Sequence, residues 1–259
     1  MNIKSWSITD VGKKRDHNED SILCNNDIQL YLVADGMGGH TAGEMASKTA
    51  VESIESRVLE NISELTTEEN SNSNKTQMLF AAGNNSVINM LQDAVKSASK
   101  AILDKVESDK KLQGMGTTAV GLFFYDNQLY YAHVGDSRLY RIRGDEIKQI
   151  TVDHSLVQEQ IDAGIISREE AENSRYKNII TRSVGFEENI DVDCEEIEAK
   201  PDDYFLLCSD GLTGLVTDKE IKDIVNQKMP ETALQFFVNL ANSRGGDDNI
   251  SVILVKVTG

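Results

Sequence analysis

Aspartates recur in this chain where apolar runs stop. Val33-Ala34-Asp35-Gly36, Val134-Gly135-Asp136-Ser137 and Leu207-Cys208-Ser209-Asp210-Gly211 each carry a strand-like stretch into a carboxylate beside a small residue. Near the other end the order is mirrored: Gly245-Gly246-Asp247-Asp248-Asn249 leads into an apolar run at 250–257, and Asn18-Glu19-Asp20 leads into Ser21-Ile22-Leu23. If sheets gather these ends, carboxylates share a partly buried space in which desolvation and like charge oppose ionisation. Divalent cations would relieve that conflict. Carboxylate and carbonyl oxygens suit Mg²⁺ and Mn²⁺, whereas zinc would want His or Cys. Neighbouring glycines let the backbone turn sharply beside an ion. Taken singly, Asp-Gly and Gly-Asp are common turn pairs; it is their repetition at strand ends that points to a metal centre.

The elements that must position these acids read as α+β. Runs rich in β-branched and aromatic residues lie at 3–9, 29–34, 117–125, 128–134, 138–142, 204–208 and 250–257. Asp126-Asn127 and Arg143-Gly144-Asp145 are tight-turn chemistry between such runs, so the middle of the chain predicts an antiparallel meander. Helical periodicity predicts two pairs, at about 42–62 with 78–106 and at 218–227 with 231–242, the second split by Pro230. Residues 63–75, rich in Asn, Ser, Thr and Glu, read as a surface loop. Residues 151–185 read as a polar insertion with short helices near 156–163 and 168–172. The whole of 1–259 reads as one domain carrying that insertion as a subdomain.

Bulk composition narrows the partners. With 43 acidic against 26 basic side chains the formal charge is −17, which repels a nucleic-acid backbone. No segment approaches the roughly 20 apolar residues that span a bilayer, so no membrane is expected. Cys24, Cys194 and Cys208 lie far apart, which suits a reducing, cytoplasmic compartment and packing roles. Other phosphate chemistries fail on their motifs. The sixth residues after the cysteines are Leu30, Lys200 and Gly214, not the Arg of a cysteine-nucleophile loop. Asp191-Val192-Asp193 imitates an aspartyl-phosphate motif but precedes a polar strand, and no P-loop is present. Gly114-Met115-Gly116-Thr117-Thr118-Ala119 is a loose dinucleotide fingerprint that enters a strand, the wrong context for a nicotinamide cofactor.

Taken in order, Gly12, Arg15, Asn18-Glu19-Asp20, Ala34-Asp35-Gly36-Met37-Gly38-Gly39-His40, Gly116-Thr117-Thr118, Val134-Gly135-Asp136-Ser137-Arg138, Ser209-Asp210-Gly211-Leu212 and Asp247-Asp248-Asn249-Ile250-Ser251 span nearly the whole chain. This ordered set resembles the PPM family, the metal-dependent (type 2C) protein phosphatases, in the short form found in bacteria. The resemblance implies a four-layer α-β-β-α sandwich, two central antiparallel sheets flanked by helix pairs, with metals at one end. It implies that Asp35 bridges two core ions, Mn²⁺ or Mg²⁺, and that the Gly36 carbonyl binds one of them. Glu19 or Asp20 would contact the second ion or its outer coordination layer, and Asp210 and Asp248 would complete the site. Asp136 stands where bacterial members recruit a third ion together with the aspartate at Asp210, and Arg15 stands where substrate phosphate is held. The implied reaction is hydrolysis of phosphoserine or phosphothreonine by a metal-activated water, without a phosphoenzyme. The implied partners are phosphorylated proteins, targets of a serine/threonine kinase; separately from the resemblance, a monomer is expected.

Many eukaryotic members carry a general-acid His directly after the Asp-Gly, where this chain has Met37; His40 and metal-bound water are the candidates left. The insertion at 151–185 matches the family's flap, and Arg182 within it faces either substrate or solvent. Two rival classes share these residues: a phosphoprotein-binding module without turnover, which would be expected to lose Asp35, Asp210 or Asp248, and a two-metal enzyme acting on small phosphate esters.

Overall fold

The computed structural model describes residues 2–39, 41–68 and 84–259. Eleven strands fall into two antiparallel sheets among the described residues. One has the order β1 (Asn2–Asp10), β11 (Ile250–Thr258), β10 (Tyr204–Cys208), β7 (Arg138–Arg143) and β8 (Glu146–Gln149). The other runs β2 (Asp20–Asn25), β3 (Leu30–Met37), β5 (Ala119–Tyr125), β6 (Gln128–Val134) and β9 (Asp193–Ile197), with the short β4 (Gly116–Thr117) pairing the end of β3.

Strand periodicity explains the layering. The central strands are apolar on both faces, so alternate residues build separate cores. On β3, Tyr31 and Val33 enter the layer between the sheets with Val120, Leu122, Phe205, Leu207, Ile253 and Val255. Leu30, Leu32 and Ala34 face the other way, onto the helix pair α1 (Thr41–Glu68) and α2 (Asn84–Ser108). On the second sheet Leu206, Cys208, Val252 and Leu254 meet α6 (Asp218–Gln227) and α7 (Pro230–Ser243). Three apolar layers between four layers of backbone make the expected α-β-β-α sandwich. Each fully buried Leu, Ile, Val or Phe contributes about 1.5–3 kcal/mol to this arrangement.

Local chemistry sets the turns. Asp126 and Asn127 have φ of 48° and 62°, the two left-handed positions that a two-residue hairpin needs between β5 and β6. The second helix pair follows the expected start signals: Thr217 and Glu220 form a reciprocal cap on α6, and Pro230 opens α7.

Three expectations change. β3 does not stop before Asp35 but continues through it to Met37, because Gly36 and Met37 pair with Thr117 and Gly116. The run expected at 117–125 is broken at Thr118 into β4 and β5. α1 continues to Glu68, so the first part of the expected loop at 63–75 is helical; residues 69–75 lie outside the described residues, as do 78–83 of the second expected helix. The insertion contains α3 (Leu156–Asp162) and α4 (Arg168–Glu172), close to their expected places. Bridges between Ser155 and Ile180 and between Thr117 and Val184 tie the segment at both of its limbs.

Candidate metal centre

Five strand ends converge at one end of the sandwich. β2 and β3 are registered so that Asp20 lies directly opposite Asp35, a like-charge pairing that destabilises a sheet unless something neutralises it. Asp210 opens the one-turn helix α5 (Asp210–Thr213) just past β10, and Asp136 sits in the turn after β6. Asp248 comes immediately before β11 and Glu19 immediately before β2. Glu19, Asp20 and Asp136 are buried.

The electrostatics follow from this crowding. Burial first, and then the charges of Asp20, Asp210, Asp136 and Asp248, push the Asp35 carboxyl well above the ordinary range. Asp20 is raised to about 7 by burial, with Asp210 and Asp248 adding to it against hydrogen bonds from Ser251 and Ser209. Asp136 is raised to about 7 by burial, then by Asp210. Asp210 is raised by burial, then by Asp248. The buried Oδ1 atoms of Asp20 and Asp210 have no hydrogen-bond partner among the described residues. Orphaned, desolvated carboxylate oxygens cost free energy unless a cation or proton satisfies them. The donor set of Glu19, Asp20, Asp35, Asp136, Asp210, Asp248 and the Gly36 carbonyl holds oxygen alone. It fits Mg²⁺ or Mn²⁺ and not zinc.

Backbone and hydroxyl groups hold these acids in place. The Asp35 carbonyl accepts from the Thr118 N–H at 2.9 Å and the Thr117 hydroxyl at 2.8 Å, while its N–H donates to the Thr118 hydroxyl at 2.9 Å. Ser209 donates its hydroxyl to Asp20 Oδ2 at 2.8 Å and accepts from the Ser251 N–H at 3.0 Å, linking β11 to β2. Gly36 donates to the Glu19 carbonyl at 3.1 Å, and a Cβ on Gly36 would lie 2.1 Å from the Gly43 carbonyl oxygen. A Cβ on Gly43 would in turn lie 1.9 Å from Glu19 Oε2, so only glycines let α1 approach the two acidic motifs this closely.

Arg15 donates from Nη2 to Asp248 Oδ2 at 2.7 Å, with about half its side chain exposed. All the expected acids and Arg15 are thereby brought to one end of the sandwich, whereas His40 lies outside the described residues. Arg182, about a third exposed, is engaged by two acids. It is paired to Asp193 Oδ1 at 2.8 Å and Asp191 Oδ2 at 3.6 Å, so both acids of the Asp191-Val192-Asp193 stretch have this partner.

Two contributors had no role assigned from the sequence, Asn249 being quoted only as part of its motif. Asn249 accepts from the Glu19 N–H at 2.8 Å and donates to the Val11 and His17 carbonyls at 2.9 and 3.0 Å, so one amide staples the segment holding Arg15 and Glu19 to the segment holding Asp248. His133, wholly buried in β6, lies against His154 with ring centroids 4.7 Å apart. Its available signal was a histidine inside an otherwise apolar strand.

A family profile described as Protein phosphatase 2C matches residues 6–250. The serine/threonine phosphatase stp of Listeria innocua serovar 6a is 40% identical over 253 residues, covering 96% of this chain and 93% of that protein. Protein phosphatase PhpP of Streptococcus pneumoniae serotype 2 is 38% identical over 256 residues, 96% of either chain. Among solved structures, the Mycobacterium tuberculosis serine/threonine phosphatase PstP/Ppp superposes with a TM-score of 0.83 at 32% identity over 99% of both chains. The PstP catalytic domain in complex with two manganese ions superposes with a TM-score of 0.79 at 32% identity, again over 99% of both.

Proposed function

The chain belongs to the protein phosphatase 2C family and is a metal-dependent serine/threonine protein phosphatase, and on that premise we propose how its residues divide the work. Asp35, with the Gly36 carbonyl, Asp210 and Asp248, would hold two core divalent ions, Mn²⁺ or Mg²⁺. Glu19 and Asp20 complete their surroundings, and Asp136 with Asp210 holds a third. The observation that carries this reading is the set of buried carboxylates whose own crowding disfavours ionisation and whose Oδ1 atoms at Asp20 and Asp210 lack partners. The manganese-bound structural relative supports the choice of ion.

When bound, the ions would supply Lewis acidity toward the phosphoryl oxygens and toward water. Arg15 grips the substrate phosphate, its planar fork matched to two oxygens, and exchanges its Asp248 partner for that anion. Thr117, Thr118 and Ser209 hold Asp35 and Asp20 against movement as charge changes, so little reorganisation accompanies the reaction. No residue of the chain needs to carry phosphate covalently.

Substrates are phosphorylated proteins, the targets of a serine/threonine kinase. The chain works as one catalytic domain with residues 151–185 as a flap beside the site, as a monomer in the cytoplasm. Three free cysteines agree with a reducing compartment, and no helix among the described residues is long and apolar enough to cross a membrane. The test is phosphate release from a phosphothreonine peptide with Mn²⁺, with chelator, and by folded Asp210→Asn. Turnover by wild type that needs the metal and is lost in the variant is expected; equal turnover by Asp210→Asn overturns the metal assignment.

A further inference from the structure

Beside Asp136 lies a group of side chains that the reaction described above does not use. Nitrogens of His133 and His154 and a carboxylate oxygen of Asp193 come within 4.8 Å of one another, the ligand types and spacing of a transition-metal site. The protons do not favour that use. The Gly135 N–H donates to His154 Nδ1 at 3.0 Å, so Nδ1 keeps its lone pair and the neutral ring carries its one proton on Nε2. That Nε2–H faces Asp193 Oδ2 at 3.2 Å. Arg182 Nη1 lies 3.0 Å from the same nitrogen and directs its own hydrogens to Asp193 Oδ1 at 2.8 Å and the Asp191 carbonyl at 3.4 Å. A cation at Nε2 would have to displace a proton and sit against a guanidinium. Burial keeps His154 neutral, with Arg182 reinforcing and Asp193 opposing it. His133, pushed to about 3 by burial and then by His154, is a neutral surface against which that ring packs.

What the cluster does grip is the turn that carries Asp136. Asp153 takes Arg138 in a fork, Nε to Oδ1 at 2.9 Å and Nη2 to Oδ2 at 2.6 Å. His154, the next residue, takes Gly135 twice: its Nδ1 accepts the Gly135 N–H, and its own N–H donates to the Gly135 carbonyl at 2.8 Å. Between these grips the Ser137 hydroxyl is bonded to the Thr118 hydroxyl at 2.7 Å. Gly135 itself has φ of 111°, and a Cβ there would lie 2.6 Å from Thr118 Cγ2. The His154 carbonyl accepts the Thr181 N–H at 2.9 Å, beside Arg182, so the same residue also meets the returning limb of the 151–185 segment.

We propose that His154 is a positioning residue for Asp136, its Nδ1 fixing the Gly135 peptide and hence the direction of the Asp136 carboxylate, while its Nε2 ties that turn through Asp193 to Arg182 and the flap. This rests on Asp136 as a ligand of the third ion. The hold on Gly135 belongs to the Nδ1 edge alone, which makes it separable by substitution. His154→Asn keeps an acceptor where Nδ1 lies and gives up the Asp193 contact; His154→Gln reaches toward Asp193 and gives up the acceptor at Gly135.

The experiment is calorimetric titration of Mn²⁺ into chelator-treated wild type, His154→Asn, His154→Gln and Asp136→Asn, with kcat and KM for a phosphopeptide measured across Mn²⁺ concentration. His154→Gln is expected to weaken the loosest Mn²⁺ step about tenfold and to leave the tighter steps within twofold. Its kcat should recover in excess Mn²⁺ with KM unchanged, and His154→Asn should track wild type. An unaltered loosest step in His154→Gln, with Asp136→Asn losing that step, overturns the proposal and spares the assignment of Asp136. Equal damage in Asn and Gln variants also overturns it. Full Mn²⁺ binding by Asp136→Asn overturns the ligand assignment and the proposal together. Should the variants not fold, ¹⁵N chemical shifts of wild-type His154 decide: a protonated Nδ1 overturns the role, and a bare Nδ1 with protonated Nε2 supports it.

Discussion

β10 is flanked by two aspartates in quite different environments. Asp203, preceding the strand, is 1% exposed and is met by Arg143 Nε and Nη2, each at 2.7 Å, and by the Lys200 N–H at 2.8 Å. Around it Glu198 pairs with Arg143 and Lys200, and Lys256 pairs with Asp202. Asp210, following the strand, is only partly buried, but it has Asp35, Asp20, Asp136 and Asp248 for neighbours and a buried Oδ1 without a partner. One end of the sandwich neutralises its acids with its own cations. The other offers little: among the described residues Arg15, half-exposed, meets Asp248, and Arg138, which acts on Asp136 and Asp210 from a distance, is held in a fork by Asp153. Buried charge that a fold leaves uncompensated is a place held for something from outside, which is why the second end and not the first reads as the reactive one.

The largest effect that would break this contrast is on activity. Asp210→Asn should lower kcat on a phosphothreonine peptide at least about a hundredfold, the scale of removing one preorganised charge partner from a transition state. Asp203→Asn should leave kcat within about twofold. Stability should order the two the other way. In metal-free protein, Asp203→Asn is expected to cost about 2 kcal/mol, because Arg143 loses its ionic partner at a site that is buried on one side only. Asp210→Asn should be neutral or stabilising there, since it removes repulsion; denaturant midpoints with unchanged slopes measure both. Asn249→Ala should cost about 2 kcal/mol by leaving the Glu19 N–H and two carbonyls unpaired.

A smaller effect sharpens the comparison through pH. Asp20 and Asp136 sit at about 7 in the folded chain, above the ordinary value of about 3.9 for an unfolded aspartate. Groups raised in this way lend stability at low pH and lose it as pH rises through the folded value. His133, at about 3, and His154, also lowered, act oppositely, losing stability only as pH falls below about 6.5. Above that point the aspartates stand alone. Metal-free protein should therefore lose about 1–2 kcal/mol between pH 6.5 and 8. Saturating Mn²⁺ should abolish or invert that slope, because bound carboxylates are already ionised. Thermal unfolding across pH, with and without Mn²⁺, reads the difference.

Much of the reactive end was legible because its signals are local. An apolar run meeting Asp-Gly or Gly-Asp marks a strand end with an acid on it, and the same alternation that predicts the strands separates Tyr31 and Val33 from Leu30 and Leu32. The helix pair at 218–227 and 231–242 was legible from Thr217, Glu220 and Pro230, which cap and start helices wherever they fall. What escaped is contact between distant segments. Asn249 is one member of an acidic motif, with no role of its own, until Val11, His17 and Glu19 are placed around it. Nothing near His154 in sequence announces Gly135 or Asp193. The polar stretch after residue 62 looked like loop by composition, yet Glu64, Leu65 and Glu68 are good helix formers and α1 runs on to Glu68.

The pairing of β1 with β11 carries a consequence for how this protein comes into being. Arg15 and Asp248, in contact, are separated by 233 positions, and Ser251 must arrive before Ser209 can hold Asp20 as it does here. At roughly 5–20 residues per second, a ribosome spends on the order of ten seconds or more between those two ends. Through that interval the nascent chain gains these acids one after another, with no place yet to assemble them. Translation itself thus delays the enzyme: a chain stalled short of β11 is a protein that neither gathers its cations nor strips phosphate from its neighbours.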